Sequence, residues 1–545
     1  MRRELVFFHL ALLTCLALAG CGGTGDAPAE PAASGATREN VVRAWMGADP
    51  ASLSLIGKMD HNAELLAVQV TDSLVQYDPQ LVLRPRVAEA WEFSDDRRTL
   101  TFHLRDDVRW HDGTPVTAED VVFTVRTATD PATENRTYGG PLREVLSIEA
   151  LDRRTVRVRY ERVTPDVLEH WRVPLIPEHV AGADEDLLTG EFARHPVGCG
   201  PFRFIRYRPG QEIVLEANDD YWDGPPHLER LLFKIYPEQQ TAYQALLTGA
   251  LDVMKVSPAL WFDARQSDSA ARLEWFVYSR PAVWPVVWNQ DGSNPFFTDR
   301  RVRQALMHAL DRDAFIETVA HGQARPGATT YHPDTIWADP EIEPRAYDPE
   351  LAARLLDEAG WTDSDGDGTL DRDGVPFRFT LLTPNSTMQL VKQIAVWQQH
   401  SWAQLGVRTE IERLEWQAFR ERRNAGDFEA ASFSLTFSPN PDQFDLYHST
   451  ARDTGFNFYG MDDREIDRLL EQARETFDTD ERRRIYRRLQ HLLFEEEPIG
   501  CTFYFSSPVL HDRNLTGIVP TPLGIWHTTE GPRVWRWSDA GPSGD

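Results

Sequence analysis

Between positions 90 and 125 the hydrophobic positions change period, from the two of a strand to the 3.6 of a helix. Leu100, Phe102 and Leu104 alternate with Thr99, Thr101, His103 and Arg105, as in a strand with one buried face. Asp112-Gly113-Thr114-Pro115 then supplies a side chain that bonds its own backbone, a residue free to take positive φ and a fixed-φ proline, which together predict a reversal. Thr117 is placed to cap a helix whose first turn carries Glu119 and Asp120, where the dipole is positive, before Val121, Val122 and Phe123 bury it.

The same reading extends along the chain. Residues 39–49 predict an opening strand, and 63–77 a helix with Leu65, Leu66, Val70 and Leu74 near one face. Residues 145–160 alternate on either side of Asp152-Arg153-Arg154, a hairpin signal. Residues 241–252 predict a short helix ended by Gly249. Thr298 or Asp299 caps a helix that places Val302, Ala305, Leu306, Ala309 and Leu310 together. Further helices are predicted at 348–361, 389–405, 416–425, 463–477 and 480–496, with a strand around 502–505. No internal repeat is visible.

The run W-x-x-S-D-D-x-x-x-x-T-F-x-L-R-x-x-V-x-W-H-D-G-x-P-V-T-A-E-D-V, from Trp91 to Val121, resembles the extracellular solute-binding proteins of the peptide/nickel class, the dipeptide- and oligopeptide-binding proteins of ABC importers among them. So do Pro196-Val197-Gly198-Cys199-Gly200-Pro201-Phe202 followed by Asn218-x-x-Tyr221-Trp222, with Cys199 in the usual threonine position. Phe297-Thr298-Asp299-Arg300-Arg301-Val302-Arg303-Gln304-Ala305, preceded by Phe296 in place of a proline, is similar to a third family segment.

The resemblance covers nearly all of residues 39–535. It implies an α/β, two-lobed periplasmic-binding-protein-like fold of the class II type with an extra inserted subdomain in lobe I. The implied division is lobe I at 39–77, the inserted subdomain at 78–195, lobe I again at 196–278, lobe II at 279–498, a return to lobe I at 499–538 and a tail at 539–545. Two crossings between lobes imply a hinge that opens and closes on a solute.

The N-terminus adds an address. Arg2 and Arg3 precede a mostly apolar run from Leu5 to Leu18 that is too short to span a bilayer, so residues 1–20 read as an export signal. Leu18-Ala19-Gly20-Cys21 looks like a bacterial lipobox, which makes Cys21 the first mature residue and its lipid attachment point. Two or more acyl chains anchor firmly where one does not. Residues 21–38, rich in Ala, Pro and Gly, then read as a flexible tether. The expected location is exported, periplasmic or cell-surface, and lipid-anchored.

Four cysteines reduce to two once Cys15 leaves with the signal and Cys21 is lipidated. Cys199 and Cys501 either close a long loop as a disulfide or remain two buried thiols. The formal net charge is −28, from 57 basic and 85 acidic residues spread along all 545, and loss of Arg2, Arg3 and Glu4 makes it −29. Such a surface disfavours nucleic acid and anionic membranes as partners and reads as a solvated acidic coat.

Candidate ligand contacts follow from the resemblance. The connection before the first helix approaches the ligand in that family, which nominates Asp60, His61 and Glu64, each of which also suits surface capping. Glu415-Trp416 and Arg423 match positions near the cleft, where an indole stacks on solute and a guanidinium holds a carboxylate; packing within a helix is the other reading of Trp416. Trp284, Trp288, Asn440 and Asp442 are further candidates.

In the peptide-binding branch, a segment W-x-x-D-x-x-[DE]-P uses its first aspartate to hold a peptide's amino terminus. The matching stretch here, Ser434 to Phe444, puts Phe437 or Ser438 at that position, and neither is charged. An ammonium buried there without a carboxylate is costly, which disfavours an ordinary free-amine peptide.

Asp363, Asp365, Asp367 and Asp371 occupy positions 1, 3, 5 and 9 of a calcium loop, with Gly368 at position 6, but position 12 is Gly374 rather than a bidentate glutamate. Calcium is the one cofactor considered; a D-G-D-G surface turn, common in the family, is the alternative.

No G-x-S-x-G, H-E-x-x-H, G-x-x-x-x-G-K-[ST] or C-x-x-C motif is present, so an enzyme is not expected. The expected protein is a monomeric, lipid-anchored receptor that captures a peptide-like or other small organic solute between two lobes and delivers it to ABC permease subunits. A permease-independent sensor or adhesin with the same fold, and a secreted hydrolase, are the alternatives.

Overall fold

Local capping chemistry sets most helix starts. Thr117 and Asp120 form the capping box of helix Ala118–Thr129, with the Thr117 amide donating to Asp120 Oδ2 at 2.8 Å. Asp120 Oδ1 also accepts the Glu178 amide at 2.9 Å, tying the helix start to a distant turn. Asp60, Asp299, Asp348, Asp463 and Asp478 each accept a backbone N–H at the start of the helix that follows. These elements come from a computed structural model that describes residues 40–538, apart from 58, 136, 184–185, 268–269, 387–388 and 453–454. The export signal, Cys21, the tether and the 539–545 tail lie outside the described residues.

One twelve-stranded mixed sheet runs through the molecule. At one end strand Val41–Met46 pairs in parallel with Arg230–Ile235, and Glu212–Ala217 and Phe202–Arg208 continue outward antiparallel. At the other end Arg378–Pro384 pairs in parallel with Arg408–Leu414 and with Ala430–Ser432. Two long antiparallel strands, Leu273–Trp288 and Ile499–Asp512, join the ends; the first half of one pairs with the second half of the other in lobe I, and the remaining halves pair in lobe II.

A separate four-stranded antiparallel sheet, in the order Ala88–Phe93, Thr99–Leu104, Thr155–Tyr160, Val145–Asp152, forms the inserted layer. Leu100, Phe102 and Leu104 are fully buried in it, as their alternation predicts. This two-lobed α/β architecture is the class II arrangement.

The first helix is shorter than its hydrophobic pattern suggests. It covers His61–Val70; Thr71 turns extended and Val75–Tyr77 is a strand. The Gly200 amide donates to Val70 O at 2.9 Å and the Arg86 amide to Leu74 O at 3.0 Å, so carbonyls that would continue the helix bond other segments instead. No helix among the described residues is long and apolar enough to cross a membrane.

Candidate functional site

The crossing strands carry an irregularity that sets the site. Pairing is regular up to Ser279 opposite Ser506 and resumes at Val283 opposite Tyr504, so Arg280, Pro281 and Ala282 bulge where a single partner residue, Phe505, faces them. Pro281 has no N–H to give to a central ladder, which explains why the bulge falls there. On the strand's other edge Ala282 and Val283 pair with Thr436 and Leu435, and the Phe437 amide donates to Pro281 O at 2.8 Å.

Residues 435–444 are thereby fastened to the hinge. Ser438 Oγ donates to Glu169 Oε2 at 2.7 Å, across the boundary between lobe II and the inserted subdomain, and accepts the Asn440 amide at 3.3 Å. A cavity of about 10 Å³ lies here. Leu81 and Pro522 line it from the lobe I side, and Tyr331, Trp337, Phe437 and Ser438 from the lobe II side. A void of that size holds about one water, so the lobes are closed on each other.

Other contacts cross the same boundary. The Arg482 guanidinium pairs with the Asp166 carboxylate, both buried, and Arg162 pairs with Glu475 at 2.8 Å. Phe93 meets Phe477 edge-on at 5.4 Å, with Arg97 over the latter ring at 3.9 Å.

A second group lies at the start of the first helix. His61 stacks on the buried His527 with ring centroids 6.1 Å apart, and the Tyr138 hydroxyl donates to Glu64 at 3.4 Å. Burial, then Arg280, draws the Lys255 ammonium down to about 8; burial, then Lys255, lowers His61. His61, Lys255 and Arg280 all remain accessible to solvent, and Glu64 and Asp60 act on His61 as well, so charges of both signs gather there.

Several candidate residues have other duties. Asp60 caps its helix, accepting the Ala63 amide at 2.8 Å. Trp288 is fully buried between Phe297 and Trp402, and Trp284 is buried with its indole N–H on Ser432 Oγ at 2.9 Å; both are core. Trp416 is 52% exposed and stacks on Phe419 of its own helix. Arg423 is buried over the rings of Phe419, Phe433 and Phe458, bonds Asn424 Oδ1 at 2.8 Å, and burial lowers it to about 10. Asn440 Oδ1 accepts the Asp442 amide at 2.9 Å, and Asp442 is engaged by Arg474 Nε at 2.7 Å.

Cys199 and Cys501 are separate buried thiols, so the disulfide alternative does not hold. Cys199 belongs to the lobe I core beside Thr71, and Cys501 to a lobe II core. Asp363, Asp365 and Asp367 bring one oxygen each within 4.8 Å of the others, all exposed; Asp371 instead accepts the Ser364 amide and hydroxyl. Asp363 accepts the Gly366 and Gly368 amides, and Asp367 the Thr369 amide at 2.6 Å. The carboxylates are thus used to build a turn.

Glu169, His527, Lys255 and Arg280 were not signalled by any local pattern. Glu169 lies on the 3₁₀ helix Pro165–Arg172, 269 residues before the serine it meets.

A hinged pair of lobes closing on a small polar and aromatic cavity defines an extracytoplasmic solute-binding protein. The chain belongs to the bacterial extracellular solute-binding proteins, family 5, whose middle-region model matches residues 82–457. It is 28% identical over 533 residues to the oligopeptide-binding protein AppA of Bacillus subtilis, spanning 95% of this chain and 96% of that one. It is 30% identical over 485 residues to protein XP55 of Streptomyces lividans, spanning 87% and 84%. The structure of Bacillus subtilis AppA in complex with a nonapeptide superposes with a TM-score of 0.69 at 26% identity, over 92% of this chain and 99% of that one.

Proposed function

We propose that this protein is the solute-capturing component of an ABC importer, taking a peptide-like or other small organic solute between its lobes and passing it unchanged to the permease. The observation that carries this reading is the bulged two-strand hinge beside a boundary cavity lined from both lobes. Closure removes the solute from water and brings both walls against it, and the closed outline is what a permease can distinguish from the open one. The acidic coat suits an exported protein, and Cys21 carries the lipid that keeps it at the membrane.

The test is a thermal-shift screen across peptides, polyamines, sugars, opines and metal chelates. A cognate solute at a hundred times its Kd stabilises the fold by about 2.7 kcal/mol. Stabilisation by none of them overturns the reading. Cys21→Ser should move the protein from the membrane fraction to the soluble one.

A further inference from the structure

The segment that would bring a carboxylate to the cleft from lobe II brings none. Phe437 and Ser438 are uncharged, and the nearby Asp442 is held by Arg474 at 2.7 Å and by the Phe444 amide at 3.0 Å. Opposite it, on the inserted subdomain, stands Glu169. One of its oxygens, Oε2, accepts the Ser438 hydroxyl. The other, Oε1, is buried with no hydrogen-bond donor in reach among the described residues. Arg172 acts on Glu169 through its charge but makes its contacts elsewhere: Nε donates to Gln76 Oε1 at 3.3 Å and the guanidinium lies over the Tyr77 ring at 4.6 Å.

We propose that Glu169 is the specificity-determining carboxylate of the cleft, receiving the primary ammonium of a solute at Oε1 while Ser438 holds Oε2. This rests on the solute-capture reading and names the chemistry of its ligand. A buried acceptor left without a donor is costly, whereas an ammonium offers three N–H donors and a compensating charge. Ser438 then stands at the position that resembles an amine-binding aspartate because it orients an acid supplied by the other lobe. Carboxylate and orienting hydroxyl meet only when the lobes close, so recognition of the ammonium and closure become one event. Phe437 is the chain neighbour of Ser438 and lines the boundary cavity with it, which places an aromatic ring next to the residue that holds Glu169. Burial raises Glu169 above the ordinary carboxylate range, with Arg172 and Ser438 opposing, as suits an acid that awaits a cation. The ammonium can belong to a peptide's amino terminus or to a polyamine; both present the same group.

The full chain, purified after delipidation, is loaded with a mixed pool of short free-amine peptides, the same pool after N-acetylation, or spermidine, and retained solute is quantified by mass spectrometry. Wild type should retain a free-amine probe about ten- to a hundred-fold better than the acetylated pool, the range for a charge-assisted hydrogen bond. Which of the two amine probes is retained identifies the source. Glu169→Gln, which keeps an acceptor for Ser438, should abolish that preference with little change in Tm. Ser438→Asp should restore amine preference to the Glu169→Gln background.

Equal retention of free and acetylated probes by wild type overturns the proposal, as does undiminished preference in Glu169→Gln. If Glu169 merely latches the lobes, Ser438→Ala weakens every probe equally and leaves Glu169→Gln selective, which also overturns it. Retention of amine-free solutes alone, unaffected by Glu169→Gln, sinks this inference and leaves solute capture intact; retention of no solute of any class sinks both.

Discussion

The Arg482 guanidinium lies against the Asp166 carboxylate with both side chains buried, lobe II facing the inserted subdomain. Arg482 also donates to Ala473 O at 3.1 Å and to the Tyr486 hydroxyl at 3.2 Å, so it is held in place from its own lobe. Removing Asp166 leaves that cation buried and unpaired, at a cost of about 3–5 kcal/mol to the closed arrangement. Asp166→Ala is therefore expected to bias the protein toward separated lobes. Small-angle scattering should report a larger radius of gyration, and solute affinity should fall in proportion.

Within lobe I a second buried arginine has a purely architectural role. Arg86 donates to Asp223 at 2.8 Å and to Asp72 at 3.4 Å, stacks over Trp222 at 4.6 Å and also meets the Tyr221 hydroxyl. Trp222 in turn donates its indole N–H to Asp72 at 2.9 Å. Arg86→Leu takes one cation from two acids, of which Asp223 keeps Arg533 at 3.2 Å and Asp72 keeps the Tyr221 hydroxyl at 2.8 Å, and is expected to destabilise the protein by about 1–3 kcal/mol in chemical denaturation. Any variant that still folds should keep its solute preference.

Tryptophan substitutions should separate core from surface. Trp288→Ala removes a fully buried indole packed between Phe297 and Trp402 and is expected to cost about 3–5 kcal/mol. Trp416→Ala removes a half-exposed ring and should change stability by about 0.5 kcal/mol or less. Paired urea melts check both.

Acid should weaken the fold through its buried histidines. Burial holds His111, His170, His332 and His527 down to about 4. His111 shows the reason in geometry: Nδ1 accepts the Gly198 amide at 3.3 Å while Nε2 faces Gly200 O at 3.1 Å, so a neutral ring is required. Because the folded pKa lies below the unfolded value near 6.5, the unfolded chain binds the proton first. Stability contributed by these rings is complete above about pH 6.5 and declines as the pH falls toward 4. Raised carboxyls such as Glu144 and Glu169 act in the opposite direction. Tm should be lower at pH 5 than at pH 7, and His111→Gln should narrow that gap.

The aspartate-rich loop gives a chelation test. Its carboxylates already accept backbone amides from Gly366, Gly368 and Thr369. Millimolar calcium or EDTA is expected to leave Tm unchanged, and Asp363→Ala should lower it by loosening the turn.

The sequence conveyed the fold through features that act over a few residues. The Thr117 cap, the 99–105 alternation and the left-handed Gly249 appear where local chemistry predicts them. The first helix ends sooner than its period suggests because Leu74 fits that period while the Val70 and Leu74 carbonyls accept amides from Gly200 and Arg86, distant in the chain. The site was far less legible. Trp284 and Trp288 read as cleft residues because an indole that packs and an indole that stacks on solute have the same local signature. Glu169 matters only through a partner 269 positions away, and the separate burial of Cys199 and Cys501 likewise depends on distances that spacing does not contain.

The bulge at Arg280, Pro281 and Ala282 has a mechanical consequence. The two strands are bonded to each other on both sides of it, and the register shifts once more between Trp284 and Pro285, so the ladder can bend between Ser279 and Pro285 while resisting sliding elsewhere. Every cargo therefore meets the same elastic toll, and discrimination among cargoes falls to the chemistry of the two faces. Stiffening or loosening that defect would raise or lower all affinities together without altering their ranking.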